Sequence, residues 1–328
     1  MAISDSARIK PMVRPYKELR EIIAKKDRGF REKVMSLTEA INLIQDGDHV
    51  AAGGCHYSRT PMAAIWEMIR QRKKDLIYSR SISSTEGDLL LVSEATKHVI
   101  TSWFSPGVTW GVSRAMRHYT QEKLAVFEEW SHMSLGLRYR AGAMGIPFIP
   151  TRAMLGSDLF SRLEDIKEMT CPFTGEKLAL IPALNPKVAI LHTQRCDPYG
   201  NVQSEGLPFM DEDIARAADK VIVTTERIIS NDQVRRHPDQ TSIPFFQVDA
   251  VVEVPYGCLP HECYGSYEPD FSHMDYYVKL MMGKGPAGVK EYLNKYVYGP
   301  NSWEDFLAML NFKDILRATI QGRSVNND

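Results

Sequence analysis

The amino-acid sequence predicts an α/β fold with an open, mostly parallel sheet and helices on both faces. Short apolar runs typical of buried strands alternate along the chain with amphipathic stretches typical of helices. Several runs are apolar at consecutive positions, which indicates strands covered on both faces. Strands of this kind, separated by helices, indicate a parallel sheet between two helical layers.

The first predicted helix begins after Ser36. An apolar amphipathic segment starts at Leu37, and Glu39 lies at the spacing of a capping box with Ser36. The sequence Asp-Gly-Asp at 46–48 then predicts a turn.

A short buried strand is predicted next, over residues 49–52, and it leads directly into Gly53 and Gly54. Thr60, followed by a proline, has the residue types of an N-cap and first helical position, so a helix is expected over 62–72. The glycine pair therefore lies between the end of a strand and the start of a helix.

The remaining predicted elements continue this alternation. Further strands are expected at 76–79, 99–103, 188–192, 221–225 and 249–254, with a helix over 212–220 and one or two closing helices after Ser302.

The chain is expected to divide into a basic N-terminal arm, residues 1–35, and one α/β domain, residues 36–328. The arm carries ten Lys and Arg residues against five acidic ones. Aromatic residues are sparse among these charges, with only Tyr16 and Phe30, and do not form the regular series that nucleic-acid stacking would need, so we expect the arm to pack on the domain or on a partner subunit. No Pro-, Gly- or Ser-rich linker divides the rest of the chain.

Composition excludes several classes of function. The 328 residues contain 40 basic and 41 acidic side chains, so no overall field attracts the protein to nucleic acid or to an anionic membrane. The first 33 residues lack the apolar core of a secretory signal, and no run of about eighteen apolar residues could span a membrane. Five scattered cysteines, an odd number, indicate a reducing compartment, and we expect a cytoplasmic protein.

The glycine pair is the most informative candidate site. Without Cβ atoms, Gly53 and Gly54 allow close approach to the backbone, and their amides could bind a thioester or phosphate oxygen. The pattern is neither the dinucleotide fingerprint nor the phosphate loop of nucleoside triphosphatases. From the residues alone, a ligand-binding turn and a merely tight turn remain open.

Neighbouring candidates for catalysis are weaker. His56 is poorly placed to deprotonate Cys55, because adjacent residues of an extended chain point to opposite faces, so we expect Cys55 to fill space at the turn. Glu205 lies on a loop, where most glutamates are solvated.

A zinc site is also considered. Cys258, His261, Cys263 and His273 contain ligand types for zinc, but their irregular spacing does not match paired structural modules, so no metal is expected.

Taken in order, several motifs resemble the α subunits of class I coenzyme A transferases, most closely those of the glutaconate kind. These are Leu37-Thr-Glu-Ala40, Asp46-Gly-Asp-His-Val50, Gly53-Gly54, Arg59-Thr-Pro61, Gly107-Val-Thr109, Val112-Ser-Arg114, Gly145-Ile-Pro-Phe-Ile-Pro150, Asp197-Pro-Tyr-Gly-Asn201, Ala217-Ala-Asp-Lys220, Pro255-Tyr-Gly257 and Cys263-Tyr-Gly265. The ordered set covers residues 36–275.

The resemblance implies an open α/β fold of the CoA-transferase kind and a hetero-oligomer, a heterotetramer or larger, with a β subunit. In this family the glutamate that carries CoA as a thioester belongs to the β subunit, so no catalytic residue is expected in this chain. CoA is implied as a substrate rather than a permanently bound cofactor, with acyl-CoA and carboxylic acids as reactants.

For this chain the resemblance implies supporting roles. The amides of Gly53, Gly54 and Cys55 are expected at the thioester oxygen, and Arg59 at a substrate carboxylate. Ser105 is expected near the partner's glutamate, with Pro106 as an alternative at that place.

Three other functions stay open. Relatives of the same fold hydrolyse a ring carbon–carbon bond in steroid-derived acyl-CoA compounds or decarboxylate a glutaconyl-type CoA. A non-catalytic acyl-CoA-binding subunit is the alternative from a different class.

Overall fold

The computed structural model describes residues 13–324 of the chain. In chain order the strands are β1 (His49–Ala52), β2 (Leu76–Ser79), β3 (Ile82–Ser83), β4 (Thr96–Thr101), β5 (Trp103–Phe104), β6 (Val126–Glu129), β7 (Phe148–Thr151), β8 (Lys167–Thr170), β9 (Lys177–Pro182), β10 (Val188–Thr193), β11 (Arg195–Cys196), β12 (Val202–Gln203), β13 (Lys220–Thr225), β14 (Thr241–Ile243) and β15 (Ala250–Glu253).

The α-helices follow the same numbering. They are α1 (Tyr16–Lys25), α2 (Leu37–Ile41), α3 (Met62–Arg70), α4 (Thr85–Val92), α5 (Arg114–Gln121), α6 (His132–Met144), α7 (Asp158–Arg162), α8 (Asp211–Ala217), α9 (Asn231–Arg236), α10 (Phe271–Lys284), α11 (Pro286–Tyr292), α12 (Trp303–Ala308) and α13 (Phe312–Ser324). None of the helices in the described part of the chain combines the length and apolar character needed to cross a membrane.

Seven strands form the central sheet, in the order β15-β13-β10-β1-β2-β4-β6. All neighbouring pairs in this sheet are parallel. The predicted α/β class with an open parallel sheet is therefore confirmed. Each of the six strands predicted from apolar runs lies in this sheet, whereas β6 was missed because half of its residues are glutamates.

The strands of the sheet bury both faces, as their apolar composition predicts. Val50 and Ala52 of β1 contribute to one hydrophobic cluster, while Ala51 between them contributes to the other, because side chains alternate along a strand. The first cluster includes residues of α2, α3, α4 and the closing helices α10–α12. The second includes residues of α6, α8 and β9.

A small antiparallel sheet lies outside the expected architecture. Its order is β7-β9-β8, and both of its pairs are antiparallel. The strands β7 and β8 have no fully buried residue, so their sequences lack the apolar runs from which the other strands were predicted.

The described part of the basic arm uses its charges within the chain. The Lys26 ammonium lies 2.9 Å from a carboxylate oxygen of Asp249. Arg14 forms an ion pair with Asp219, and the Phe30 ring stacks on Tyr199 with centroids 4.0 Å apart. These contacts agree with the expectation that the arm packs on the domain. The predicted capping box of Ser36 at the start of α2 is also present. Residues 1–12 lie outside the described residues.

One buried carboxyl group gives the fold a measurable dependence on pH. Asp88 of α4 is fully buried and accepts hydrogen bonds from the Ser113 hydroxyl (2.6 Å) and the Tyr277 hydroxyl (3.1 Å). Burial raises the pKa of Asp88 to about 7 in the folded protein. In the unfolded chain the carboxyl has its usual pKa of about 4. Its contribution to stability is therefore present below pH 4 and is lost as the pH rises through 7.

We compare the free energies of unfolding of the wild type and of Asp88→Asn. We expect the wild-type value minus the variant value to fall by about 2–4 kcal/mol between pH 4 and 8. Chemical denaturation across this range measures the difference. Asp239→Asn is the matched control, because Asp239 is exposed. A difference between wild type and Asp88→Asn that stays constant with pH would contradict the assignment.

Candidate active site at the carboxyl edge of the sheet

The strand order places a topological switch point between β1 and β10. From β1 the chain adds β2, β4 and β6 on one side, and from β10 it adds β13 and β15 on the other. Ligands of open α/β sheets usually bind outside the carboxyl ends of the strands at such a point. Gly53 and Gly54 follow β1, beside the end of β10 at His192 and Thr193, so this edge is the candidate active site.

Close packing requires glycine at both positions of the pair. A Cβ atom on Gly53 would lie 2.4 Å from Cδ2 of Leu191, and one on Gly54 would lie 2.2 Å from the Ser58 carbonyl oxygen. Gly54 also has a φ of +67°, in the left-handed region that favours glycine. Substitution of Gly54 must displace the backbone of the turn, whereas substitution of Gly53 must displace the side chains of Leu191 and Asp211.

The amides of this turn are hydrogen-bonded within the chain. Gly53 donates to the Ile190 carbonyl at 2.9 Å, and Cys55 donates to the Ser58 carbonyl at 3.0 Å. Gly54 donates to Oδ1 of Asp211 at 2.8 Å. An oxyanion hole needs donors aimed at the substrate. The role of the three amides as oxyanion donors stays a prediction.

Arg59, predicted as a ligand of a substrate carboxylate, is buried. Its side chain is 1% exposed, and Nη1 lies 2.5 Å from Oδ2 of Asp211. Nη1 also donates to the His192 carbonyl at 3.3 Å, and Nη2 donates to the Leu207 carbonyl at 2.8 Å. The guanidinium therefore lies buried at the switch point and is bonded to Asp211 and to two backbone carbonyls. Its role as a ligand of a substrate carboxylate stays a prediction.

Asp211, the partner of Arg59, is the first residue of the helix α8, whose N-cap is Met210. Its carboxylate binds both the Arg59 guanidinium and the Gly54 amide. Sequence spacing could not reveal this role, because the interacting residues lie more than 150 positions apart.

A second buried ion pair supports the same turn and was missed by sequence reasoning. Nη1 of Arg80 lies 2.8 Å from Oε1 of Glu86, and both side chains are fully buried. Arg80 also donates to the Gly53 carbonyl at 3.1 Å and to the Thr60 hydroxyl at 2.9 Å. The sequence feature that could have indicated this ion pair is an arginine, Arg80, immediately after the strand β2.

Ser105, predicted near the partner's glutamate, is buried and hydrogen-bonded to the loop that follows it. The hydroxyl donates to the Gly111 carbonyl at 2.7 Å and accepts from the Gly107 amide at 3.0 Å. The alternative residue, Pro106, accepts a hydrogen bond at its carbonyl from the Tyr57 hydroxyl at 2.6 Å. These bonds shape the loop and tie it to the glycine turn.

Cys55 and His56 are half-buried side chains at the tip of the turn. Burial raises the pKa of the Cys55 thiol and lowers the pKa of the His56 imidazole. Both groups are therefore held in their neutral forms, and Cys55 lacks the depressed pKa of an activated thiolate nucleophile. This agrees with Cys55 as a residue that fills space at the turn.

The residues considered for zinc do not form one group. His261 lies between two threonine hydroxyls, each 2.8 Å from a ring nitrogen. Nε2 of His273 is 2.8 Å from the Tyr292 hydroxyl. Cys258 and Cys263 do lie close together, but their neighbouring imidazole is that of His192.

Two clefts flank the glycine turn on the carboxyl edge. A cleft of about 420 Å³ lies at the ends of β10, β13 and β15, and its lining includes Gln194, Arg195, Arg227, Tyr256 and Arg323. A second cleft, of about 270 Å³, lies at the ends of β4 and β6 and is lined largely by apolar groups, among them Trp103, Phe104, Met116 and Phe127. The lining of the larger cleft thus contains three arginines and two glutamates, Glu205 and Glu226, whereas the lining of the second cleft is largely apolar.

Comparison with known proteins agrees with this architecture. The profile of the Coenzyme A transferase family matches residues 34–254. A protein of Archaeoglobus fulgidus is 39% identical over 87% of this chain, which spans 64% of that protein's length. The A subunit of glutaconate CoA-transferase from Acidaminococcus fermentans is 33% identical over 85% of this chain and 92% of its own.

Two solved structures share the fold. The crystal structure of glutaconate coenzyme A-transferase from Acidaminococcus fermentans superposes with a TM-score of 0.82, covering 87% of this chain and 95% of that one. A cysteine-to-serine variant of the decarboxylase AibA/AibB gives a TM-score of 0.71 at 31% identity, covering 81% of this chain and all of its own. The chain belongs to the Coenzyme A transferase family.

Proposed function

We propose that this chain is the α-type subunit of a heteromeric class I CoA-transferase. The observation that carries the proposal is its 33% identity to the A subunit of glutaconate CoA-transferase, over 92% of that protein. The reaction would move CoA between an acyl-CoA and a carboxylic acid, with CoA as a substrate and no permanently bound cofactor.

The carboxylates next to the glycine turn support a catalytic glutamate on a partner. Asp211 and Glu86 are buried and bound to arginines, so neither is available to attack a thioester. Glu205 forms an ion pair with Arg195, at 2.6 Å. In the proposed mechanism a glutamate of the β-type partner attacks the acyl-CoA, which gives a mixed anhydride and CoA thiolate. The thiolate then attacks the glutamyl carbonyl, so that the carboxylate of the donor leaves and CoA is carried as a glutamyl thioester.

This chain would supply the rigid protein surface on one side of the shared site. Gly53, Gly54 and Cys55 are proposed to shape the surface beneath the thioester, and Ser105 to hold the adjacent loop. Arg59 is proposed to position the turn through Asp211. In this proposal each of these residues contributes to the site by fixing the backbone conformation of the turn or of the adjacent loop.

The exposed apolar residues around the same edge support a partner surface there. Trp103, Val108, Leu207 and Phe271 are 48%, 89%, 70% and 54% exposed. Exposed apolar groups of this size mark interaction surfaces when they cluster. We propose that the β-type subunit covers this edge, in a heterotetramer or a larger assembly, and that neither nucleic acid nor membrane is a partner.

The two clefts suggest how a CoA thioester would lie across the edge. Arg195, Arg227 and Arg323 of the larger cleft fit the anionic phosphates of CoA. The apolar cleft on the other side fits a hydrocarbon segment of the substrate. Five free cysteines agree with the proposed cytoplasmic location.

A decarboxylase subunit of the same fold is the second candidate function, favoured by the likeness to AibA/AibB. The residue at the nucleophile position of the partner distinguishes the two activities.

The complex of this chain with its β-type partner tests the proposal. We expect turnover of acyl-CoA by the complex and none by this chain alone, because the covalent carrier is missing. Borohydride added during turnover should reduce a glutamyl thioester on the partner, which peptide mass spectrometry locates. Consumption of acyl-CoA without a trapped glutamate would reject CoA transfer and point to the decarboxylase or ring hydrolase branch. Binding without turnover in the complete complex would indicate a non-catalytic subunit.

Variants of the buried pair test the positioning role of Arg59. Arg59→Met should leave the Asp211 carboxylate unpaired and lower the free energy of unfolding by about 3–5 kcal/mol. Arg59→Met combined with Asp211→Asn should recover part of this loss. Remaining activity should fall equally for dicarboxylic and monocarboxylic acyl-CoA substrates. A KM increase confined to dicarboxylic substrates would instead support Arg59 as a substrate ligand.

Arg227→Ala is the matched control for this pair, since Arg227 is an exposed arginine of the larger cleft. It should raise the KM for CoA thioesters and leave the unfolding transition unchanged.

A further inference from the structure

A buried group of His192, Cys258 and Cys263 lies beneath the larger cleft. The ligand atoms of these three side chains are all within 4.8 Å of one another, and the side chains are fully buried. His192 belongs to β10, whereas the cysteines lie in the segment after β15. The group therefore joins two distant parts of the chain.

Glu226, immediately after β13, supplies a fourth candidate ligand. Its Oε1 lies 2.8 Å from Nε2 of His192. The same carboxylate accepts hydrogen bonds from the Tyr256 amide (2.7 Å), the Gly257 amide (3.2 Å) and the Tyr267 hydroxyl (2.5 Å). These donors fix the carboxylate in place against the histidine.

Hydrogen bonding on the far side of His192 determines which ring nitrogen is available. The Thr224 hydroxyl donates to the Leu191 carbonyl at 3.2 Å, so it accepts from Nδ1–H of His192 at 2.9 Å. In the neutral imidazole Nε2 is then the unprotonated nitrogen, facing a carboxylate oxygen. A lone pair and a carboxylate at 2.8 Å need a positive centre between them, either a proton or a metal ion. A hydrogen bond that fixes the tautomer in this way is typical of metal-binding histidines.

We propose that His192, Cys258, Cys263 and Glu226 bind one divalent transition-metal ion, with Zn²⁺ as the fitting ion. One imidazole, two thiolates and one carboxylate are the donor types that Zn²⁺ takes in tetrahedral sites. Zn–S bonds of about 2.3 Å and Zn–N bonds of about 2.0 Å place ligand atoms about 3.3–3.8 Å apart. The widest separations among His192, Cys258 and Cys263 therefore need to contract by about 1 Å, while Nε2 of His192 and Oε1 of Glu226 need to move apart by about 0.5 Å. Binding releases the two thiol protons, and the proton held between His192 and Glu226, to solvent as the metal–ligand bonds form.

The site has an entry path and a structural consequence. Glu226 and Tyr267 also line the cleft of about 420 Å³, through which an ion can reach the group. The segment that carries the cysteines contacts the glycine turn, because the Arg59 amide donates to the Glu262 carbonyl at 3.0 Å. The metal would fix this segment to β10 and β13. Its presence does not depend on the reaction that the protein catalyses.

Cobalt substitution of the full-length chain tests the site. Protein reduced with a phosphine and stripped of metal with a chelator is titrated with Co²⁺. We expect one Co²⁺ per chain, a near-ultraviolet thiolate charge-transfer band, visible bands of tetrahedral cobalt, and a higher midpoint of thermal unfolding. Cys258→Ser and Cys263→Ser should lose the charge-transfer intensity, and Glu226→Gln should weaken binding. Cys171→Ser is the matched control, because Cys171 lies in the turn between β8 and β9, and it should bind cobalt as the wild type does.

X-ray absorption of the zinc-loaded wild type keeps the test independent of whether the cysteine variants fold. Two sulfur ligands at about 2.3 Å are expected. A coordination shell of nitrogen and oxygen alone would overturn the proposal. Reduced wild-type protein that binds no cobalt would also overturn it, and the positive centre between His192 and Glu226 would then be a proton.

Discussion

Two buried ion pairs on either side of one glycine turn organise the carboxyl edge of this protein. Arg59 with Asp211 holds the Gly54 amide side of the turn, and Arg80 with Glu86 holds the Gly53 carbonyl side. Because the turn lies at the switch point of the sheet, these four charged groups occupy the position where open α/β proteins usually receive ligands. Their hydrogen bonds hold Gly53, Gly54 and Thr60, together with the backbone carbonyls of His192 and Leu207.

Moving four charged groups from water into the protein interior is unfavourable, and additional hydrogen bonds offset this desolvation penalty. Every guanidinium makes bonds beyond its carboxylate: Arg59 to the His192 and Leu207 carbonyls, Arg80 to the Gly53 carbonyl and the Thr60 hydroxyl. A buried pair adds little net stability compared with apolar packing, but loss of one member leaves an unpaired charge. The pairs are therefore best understood as devices that fix one conformation of the turn. A rigid glycine turn of this kind suits a subunit whose proposed role is to support a reacting group carried by a partner.

The sequence and the structure agree most closely where burial on both faces of a strand produces a continuous apolar run. That is why β1 and β2 were predicted with their observed bounds, and why the sheet could be predicted as parallel. β6 was missed because its last two residues are glutamates, and the small β7-β9-β8 sheet because its strands are largely exposed. Within the site, the glycine pair was recognised but its amides were assigned to a ligand, since a sequence does not show that Asp211 and the carbonyls of Ile190 and Ser58 already accept from them.

The sequence by itself determined the α/β class, the position of the glycine turn, the capping box at Ser36 and the membership of the family, because each depends on local patterns or on the order of motifs. Only the tertiary structure decided that Arg59 faces inward, that Ser105 shapes a loop, and that His192 joins Cys258 and Cys263. These outcomes depend on contacts that the folded chain makes at one edge of the sheet, most of them between residues far apart in sequence. Periodicity and spacing report the neighbours of a residue along the chain, whereas the role of a buried charge is set by its neighbours in space.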